Sequence, residues 1–198
     1  MKIIVFGPFA PSKQNQQGWK IWGPELTRRG HQVIFFERKS ECSHGMENFS
    51  GIIHPYDSWE SALPSAEDEL DDADVGIVSS TATDLLPATK LIVQSKARAQ
   101  IFFDLDTSAT LQRLKQSDVT DYVSPGGLVG FDLIFTFAEG LALGALKQAM
   151  GDQPVIVVDP KNVSESMEQA LQKIFSTRDV STSHDEGMPL PQLMTWEG

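Results

Sequence analysis

Two stretches, Lys2-Ile-Ile-Val-Phe-Gly7 and Gln32-Val-Ile-Phe-Phe36, decide the fold class of this 198-residue chain. Each is a short apolar run rich in β-branched and aromatic residues, which is typical of a buried strand. Between them, Trp19, Trp22 and Leu26 recur at intervals of three and four residues and therefore share one face of a helix. A strand, a helix and a second strand in this order predict parallel strands joined by a crossover helix.

The same alternation continues along most of the chain. Strands are predicted where apolar runs recur: Ile3–Phe6, Gln32–Phe36, Val75–Ser79, Gln100–Phe103, Asp132–Phe135, Val155–Val158 and Gly51–His54, the weakest of the seven runs. Helices are predicted at Trp19–Arg29, Asp84–Ala97, Glu139–Met150 and Val163–Phe175. We therefore expect an α/β protein, a Rossmann-like three-layer sandwich around a mostly parallel sheet of six or seven strands.

Composition divides the chain into three parts. Residues 1–160 form one predicted domain, a size that a single hydrophobic core supports. Residues 161–176 form a predicted C-terminal helix. Residues 177–198 are polar and contain Pro189 and Pro191, so we expect a tail that forms no packed element.

Charge and cysteine content exclude several classes of protein. The chain has 27 acidic and 16 basic residues and a net charge of −11, which repels polyanions, so nucleic acid is not an expected partner. A single cysteine, Cys42, forms no internal disulfide. The first apolar run is too short for a secretory signal, and no run of about 18 apolar residues occurs. These features predict a cytoplasmic protein without a membrane span.

The loop after the first strand is the first candidate binding segment, because ligands of parallel sheets bind at the carboxyl ends of strands. Its glycines, Gly7 and Gly18, are candidate substrate contacts, but they are far apart, and Pro8 and Phe9 stand where a dinucleotide fingerprint needs glycine. We therefore expect no cofactor. Glu37 ends the second strand, where it either binds a ribose or acts as a cap or ion-pair partner, and the loop favours the second interpretation.

Two carboxylates follow the predicted strand at Gln100–Phe103. In Phe102-Phe-Asp-Leu-Asp-Thr107, Asp104 and Asp106 lie two residues apart and share one face of an extended chain. Such a pair can bind a cation, orient a sugar hydroxyl or act as a general base, with Thr107 as a neighbouring contact. Alternatively, Asp106 or Thr107 caps a helix that starts at Ser108, and Asp104 accepts backbone donors. Both interpretations stay open.

Hydroxyl-rich segments are expected at the same edge of the sheet. Ser79 and Ser80 end one predicted strand, and Asp57 follows the predicted strand at Gly51–His54. Hydroxyl groups and aromatic rings suit sugars, through hydrogen bonds and stacking. Asp57 or Ser58 equally suits the cap of a helix that begins at Trp59. The four histidines are scattered, so no metal site is expected.

Five motifs in their order resemble the N-terminal domain of GT-B glycosyltransferases. They are Lys2-Ile-Ile-Val-Phe-Gly7, Leu26-Thr-Arg-Arg-Gly-His-Gln-Val-Ile-Phe-Phe-Glu37, Tyr56-Asp-Ser-Trp59, Phe103-Asp-Leu-Asp-Thr107 and Gly130-Phe-Asp-Leu-Ile-Phe135. The last three are similar to runs in the bacterial CgeB-like branch, which is related to spore-protein glycosyltransferases. The resemblance covers about residues 1–158.

The resemblance implies an acceptor-recognising domain without most of the half that binds a nucleotide-sugar donor, through an internal loss or a truncation. Asp106 is then the expected base toward an acceptor hydroxyl, with Asp104, Asp57 and Ser79 as polar contacts. The sequence departs from the family at Lys13-Gln-Asn-Gln-Gln17, where relatives are glycine-rich, and at Glu139, which adds a charge facing the cleft.

Two other functions stay open. One is a non-catalytic binding or assembly module, in which the surface left by the missing half binds a partner chain or forms a homodimer. The other is a nucleotide-binding Rossmann enzyme, which the first loop disfavours. The expected small-molecule partners of the glycosyltransferase-like protein are a nucleotide-sugar or a glycan acceptor.

Overall fold

The structure is a computed structural model that describes residues 1–9, 19–41, 49–115, 128 and 130–185, with side chains as far as Thr177. The strands in these ranges are β1 (Lys2–Phe6), β2 (Gln32–Arg38), β3 (Ile52–Tyr56), β4 (Val75–Ser79), β5 (Ala99–Asp104), β6 (Leu133–Thr136) and β7 (Val155–Val157). The helices are α1 (Trp19–Arg28), α2 (Trp59–Asp71), α3 (Leu85–Gln94), α4 (Thr107–Lys115), α5 (Gly140–Met150) and α6 (Val163–Asp185).

The seven strands form one sheet in the order β3-β2-β1-β4-β5-β6-β7, and every pair of neighbours is parallel. Val5 in β1 is opposite Phe35 in β2 and Ile77 in β4. The weakest predicted run is realised as β3, which pairs with β2. The prediction of an α/β, Rossmann-like three-layer sandwich is thereby confirmed, and the sheet is entirely parallel.

Helices cover both faces of the sheet. On one face, residues of α1 and α6 belong to the same core cluster as Ile3 and Val5. On the other face, residues of α2, α3 and α5 belong to the same core cluster as Ile4 and Phe6, and residues of α4 pack against it. Successive strand residues point to opposite faces, and here both faces are apolar. This explains why the strands appear in the sequence as continuous apolar runs rather than as alternating patterns.

Helix α2 starts with a side-chain cap, for which the sequence suits either Asp57 or Ser58. Ser58 accepts a hydrogen bond from the backbone N–H of Ser61, and the Ser61 side chain accepts one in return from the N–H of Ser58. This reciprocal arrangement satisfies two of the donors that a helix start leaves unpaired. Ser58 is therefore the cap, and Asp57 lies outside the helix.

Helix α6 is longer than predicted. It continues to Asp185, ten residues beyond Phe175, so residues 177–185 of the expected tail are helical. The hydroxyl groups of Ser176 and Thr177 donate to the helix's own carbonyl groups at Gln172 and Lys173. An apolar pattern locates the part of a helix that packs against the sheet, so it does not reveal polar residues that continue the helix beyond that part. Residues 186–198 of the predicted tail lie outside the described residues.

Salt bridges join the two helices that share a face of the sheet. Glu168 of α6 accepts from Arg29 at 2.8 Å and lies 2.6 Å from His31 Nε2, just after α1.

Among the helices in the described ranges, none is both long enough and apolar enough to cross a membrane.

Candidate functional site

The topological switch point of the sheet lies between β1 and β4, because the chain proceeds outward from this line in both directions. Open parallel sheets bind ligands outside the carboxyl ends of the strands at such a point. Gly7 follows β1 here with a φ of +146°. A Cβ atom at this position would lie 2.2 Å from Ser79 Oγ, so only glycine fits this close approach of β1 and β4. Gly18 lies outside the described residues.

Two serines end β4 beside Gly7. Ser79 is fully buried, and its Oγ lies 3.2 Å from Thr81 Oγ1. The Ser80 hydroxyl accepts hydrogen bonds from the backbone N–H groups of Leu105 at 2.9 Å and Asp106 at 3.3 Å. Ser80 therefore fastens the end of β4 to the segment after β5. These contacts bring Gly7, Ser79, Ser80 and Asp106 together, as the sequence predicted.

Asp104 ends β5 and lies in a web of threonine hydroxyls, which we call the Asp104 web: Asp104, Thr107, Thr110 and Thr136. Thr107 and Thr136 donate to Asp104 Oδ2 at 2.5 and 2.8 Å, and Thr110 donates to Oδ1 at 2.6 Å. Thr136 Oγ1 also accepts from the N–H of Ala138. The web thus links β5, α4, β6 and the turn before α5.

The Asp104 web favours the structural alternative for Asp104 over a role as a ligand contact or base, although its donors are threonine hydroxyls rather than backbone N–H groups. The residue is only 1% exposed, and both of its carboxylate oxygens already accept hydrogen bonds. A general base must be within hydrogen-bond reach of the proton that it removes, and a carboxylate in this position does not reach a ligand outside the sheet. Thr107, a predicted substrate contact, likewise directs its hydroxyl proton inward to Asp104.

Asp106 lies nearer to solvent than Asp104 and caps α4. Its Oδ1 accepts from the N–H of Ala109 at 3.1 Å, and its carbonyl oxygen accepts from the N–H of Thr110. The capping alternative is confirmed for this residue. Within the described part of the chain its Oδ2 has no hydrogen bond, and the side chain is half-buried. Asp106 is therefore the carboxylate at the switch point that keeps an oxygen for a ligand.

The other two predicted contacts lie away from this cluster. Asp57 follows β3, which is three strand spacings of about 4.8 Å each from β4. It is exposed and pairs with Lys39. Glu139 lies between β6 and α5, at the carboxyl edge of the sheet. Its side chain is exposed and makes no capping hydrogen bond.

Glu37 clarifies the loop after β1. Its side chain is 2% exposed, and Oε1 accepts from the backbone N–H of Phe9 at 3.0 Å. Glu37 therefore has a structural contact to the loop, which agrees with the structural interpretation rather than the ribose-binding one, although this contact is neither a helix cap nor an ion pair. A ribose-binding acid would present its carboxylate to the ligand, whereas this carboxylate is buried against the loop.

A second cluster lies where β2, β3 and α3 meet, and sequence reasoning missed it. We call it the Arg38 corner: Arg38, Glu41, Tyr56 and Asp84. Arg38 donates through Nε and Nη2 to the two oxygens of Asp84 at 2.6 and 2.7 Å, and the Tyr56 hydroxyl donates to Asp84 at 3.0 Å. The sequence signal for this cluster is the position of Arg38 just after the predicted strand Gln32–Phe36, at the carboxyl edge of the sheet.

The electrostatics of the Arg38 corner are mixed in sign. Hydrogen bonds from Arg38 lower the pKa of Asp84 below its ordinary value, and the same contact raises the pKa of Arg38. Burial, followed by the charge of Asp84, raises the pKa of Tyr56 and that of Glu41. The surroundings of the corner therefore favour the ionised form of Asp84 and disfavour the ionised form of Glu41.

Metal binding has no candidate site in the described ranges, where no three His, Cys, Asp or Glu side chains cluster closely enough to hold an ion. Comparisons of the chain with protein-family models, curated proteins and solved structures found no match.

Proposed function

We propose that the chain is a glycosyltransferase-like domain that binds a neutral, hydroxyl-rich glycan acceptor at the carboxyl edge between β1 and β6. We further propose that it lacks a complete donor-sugar site and takes its donor contacts from another polypeptide. The observation that carries the proposal is the cluster at the switch point, where Gly7, Ser79, Ser80 and Asp106 meet. The motifs that resemble acceptor-side domains of GT-B enzymes add to it.

The charge of this edge favours a neutral ligand over a nucleotide-sugar. The edge from β1 to β6 carries the carboxylates of Asp104, Asp106 and Glu139. Among described side chains that bond to it, Arg113 supplies positive charge, through a hydrogen bond to the Ser80 carbonyl oxygen. A diphosphate binds best where backbone N–H groups or cations converge, and carboxylates repel it. A sugar hydroxyl, in contrast, can donate to a carboxylate.

Asp106 is the residue proposed to contact the reacting hydroxyl. In a transfer reaction its carboxylate would take the proton of the acceptor hydroxyl. The hydroxyl oxygen would form the new bond to the anomeric carbon of the donor, and the nucleoside diphosphate would leave. Asp104 has a positioning role in this scheme, because the Asp104 web holds α4, and with it Asp106, against β6. Proton transfer of this kind contributes about 10²- to 10⁴-fold to a rate.

Binding of neutral sugars tests the proposal directly. Saturation-transfer NMR and calorimetry with maltotriose, chitotriose and methyl hexosides should detect binding with a Kd near 1 mM, about −4 kcal/mol. UDP-glucose and GDP-mannose should bind at least tenfold more weakly. Asp106→Asn should weaken sugar binding about tenfold. Asp152→Asn, the same change at an exposed position in the turn before β7, should leave it unchanged.

Two results would contradict the proposal. Micromolar binding of a nucleotide-sugar, or of NAD, NADP or FAD in a thermal-shift assay, would place a donor or dinucleotide site on this chain. If correctly folded protein binds none of the neutral sugars, the proposed acceptor site does not exist.

A homodimer is the second candidate function, favoured by the surface of α5. Leu141 is 96% exposed, and added Cβ atoms at Gly140 and Gly144 would meet open space. Val157, in the edge strand β7, is 41% exposed. Lys147 is the only charged residue in α5, so this helix carries none of the negative charge by which two copies of a chain with net charge −11 repel each other.

Sedimentation velocity tests the homodimer. The wild-type chain should form a dimer at tens of micromolar, and Leu141→Glu should shift it to monomer without loss of folded structure. Val93→Glu, which changes a partly exposed apolar side chain on α3, is the matched control and should stay dimeric. A wild-type chain that stays monomeric at high concentration would exclude the assembly role.

A further inference from the structure

The turn between β4 and α3 forms part of the rim of the proposed acceptor site. It consists of residues 80–84 and is fixed at its start, where the N–H of Ser80 donates to the Phe103 carbonyl oxygen at 2.8 Å. The N–H of Ala82 donates to the Ser79 carbonyl oxygen at 3.0 Å. Ala82 also lies over Gly7, because a Cβ atom at Gly7 would be 3.8 Å from the Ala82 side chain. The turn therefore covers the switch point.

The turn ends at Asp84, whose carboxylate does not cap the helix that follows. Asp84 occupies the N-cap position of α3 but makes no side-chain capping hydrogen bond. A capping carboxylate accepts from the second or third N–H of the helix, and the third residue of α3 is Pro87, which has no N–H. The Asp84 carboxylate is thus available for a longer-range partner.

Arg38 is that partner, and it joins three segments of the edge. Two of its donors bond both oxygens of Asp84, and Nη1 donates to the carbonyl oxygen of Asp57 at 2.9 Å. The Arg38 side chain extends from the last residue of β2, so it connects β2, the segment after β3 and the turn before α3. A two-point contact between guanidinium and carboxylate fixes direction as well as distance.

We propose that Arg38 and Asp84 are positioning residues that hold the turn 80–84 over the switch point, with its hydroxyls in the orientation that acceptor binding requires. The inference about binding rests on the proposed function, whereas the inference about the turn does not. Neither residue contacts the Gly7–Ser79 cluster in the hydrogen bonds described. Their effect on a ligand is therefore indirect.

Amide hydrogen exchange by NMR tests the positioning role on the full chain without any ligand. Arg38→Gln and Asp84→Asn should each speed exchange of the Ala82 amide by at least tenfold, while amides of β1 and β4 exchange as in the wild type. Arg38→Lys should give an intermediate rate, because an ammonium group keeps the charge and loses the two-point contact. A merely structural role would raise exchange in the strands together with the turn.

Lys39→Gln is the matched control, since it removes the neighbouring ion pair to Asp57 and does not touch the turn. It should leave the Ala82 amide unchanged. Unaltered Ala82 exchange in both Arg38→Gln and Asp84→Asn would overturn the proposal, and Asp84→Asn alone decides if Arg38→Gln does not fold.

Maltotriose or chitotriose binding, measured in parallel, separates this inference from the proposed function. If the wild type binds sugar, Asp84→Asn should weaken binding at least fivefold, and unchanged binding would overturn the link to the ligand. If the wild type binds no sugar but Ala82 exchange rises, the positioning role stands and the proposed function fails.

Discussion

The Asp104 web and the Arg38 corner lie at the same edge of the sheet, and they compensate a carboxylate in different ways. Asp104 is 1% exposed and is surrounded by three threonine hydroxyls, with no salt bridge among the described residues. Asp84 is partly exposed, and Arg38 and Tyr56 bond to it. The web depends on buried geometry, whereas the corner depends on charge.

This difference indicates separate roles for the two clusters. Neutral hydroxyls in a buried site are insensitive to salt and give a rigid floor that joins β5, α4 and β6. A partly exposed ion pair weakens with acid and with salt, so the strength of the contacts in the corner depends on the conditions. Four predictions, from the largest expected effect to the smallest, would sharpen or contradict this comparison.

Asp104→Ala should cause the largest loss of stability. It leaves the hydroxyls of Thr107, Thr110 and Thr136 without their acceptor, and each unpaired buried group costs about 1–3 kcal/mol. We expect the free energy of unfolding, measured with urea, to fall by about 4 kcal/mol or more. A loss below about 1 kcal/mol would mean that the web is not a structural floor.

Thr110→Val and Thr89→Val should change stability in opposite directions. Both hydroxyls are buried, but Thr110 donates to Asp104 at 2.6 Å, whereas Thr89 Oγ1 has no partner among the described residues. Thr110→Val should cost about 2 kcal/mol, because a hydrogen bond to a carboxylate is lost. Thr89→Val should gain up to about 1 kcal/mol, because it removes an unpaired polar group. Equal effects in urea unfolding would contradict this assignment.

Acid should weaken the Arg38 corner through Asp84. Because the pKa of Asp84 is lowered from 3.8 in the folded state, its contribution to stability is present above that pH and is lost as the pH falls. Asp84→Asn should therefore be about 1 kcal/mol less stable than the wild type at pH 7, and the difference should shrink as the pH falls below 3.8. A difference that stays constant as the pH falls through this range and is unaffected by salt would show that the contact is not ionic.

Glu41→Gln should have the smallest effect, and it should be stabilising. Burial and the charge of Asp84 raise the pKa of Glu41, so its ionised form is disfavoured in the folded state at neutral pH. Glutamine keeps an oxygen that accepts from Thr83 and removes the charge. We expect a gain of about 0.3 kcal/mol at pH 7, absent at pH 4, from thermal unfolding. A clear loss at pH 7 would mean that the charge of Glu41 supports the corner.

The candidate site could be predicted only in part. Gly7, Ser79, Ser80 and Asp106 come together because each follows a strand of one parallel sheet, and the carboxyl ends of parallel strands share an edge. The position of Asp104 at this edge was predicted correctly, but the sequence left its role open between a ligand contact and a structural acceptor. Side chains two apart share a face, yet periodicity does not show that three threonines from α4 and β6 surround one of them.

By itself, the sequence determined the order of strands and helices and the parallel sheet, because apolar runs that must be buried on both faces leave few other arrangements. The tertiary structure alone decided which carboxylates already accept hydrogen bonds from other side chains. Arg38 and Asp84 are 46 residues apart, and Asp104 and Thr136 are 32 apart. Hydrogen bonds require atoms to meet within about 3 Å, a condition that no local pattern in the chain encodes.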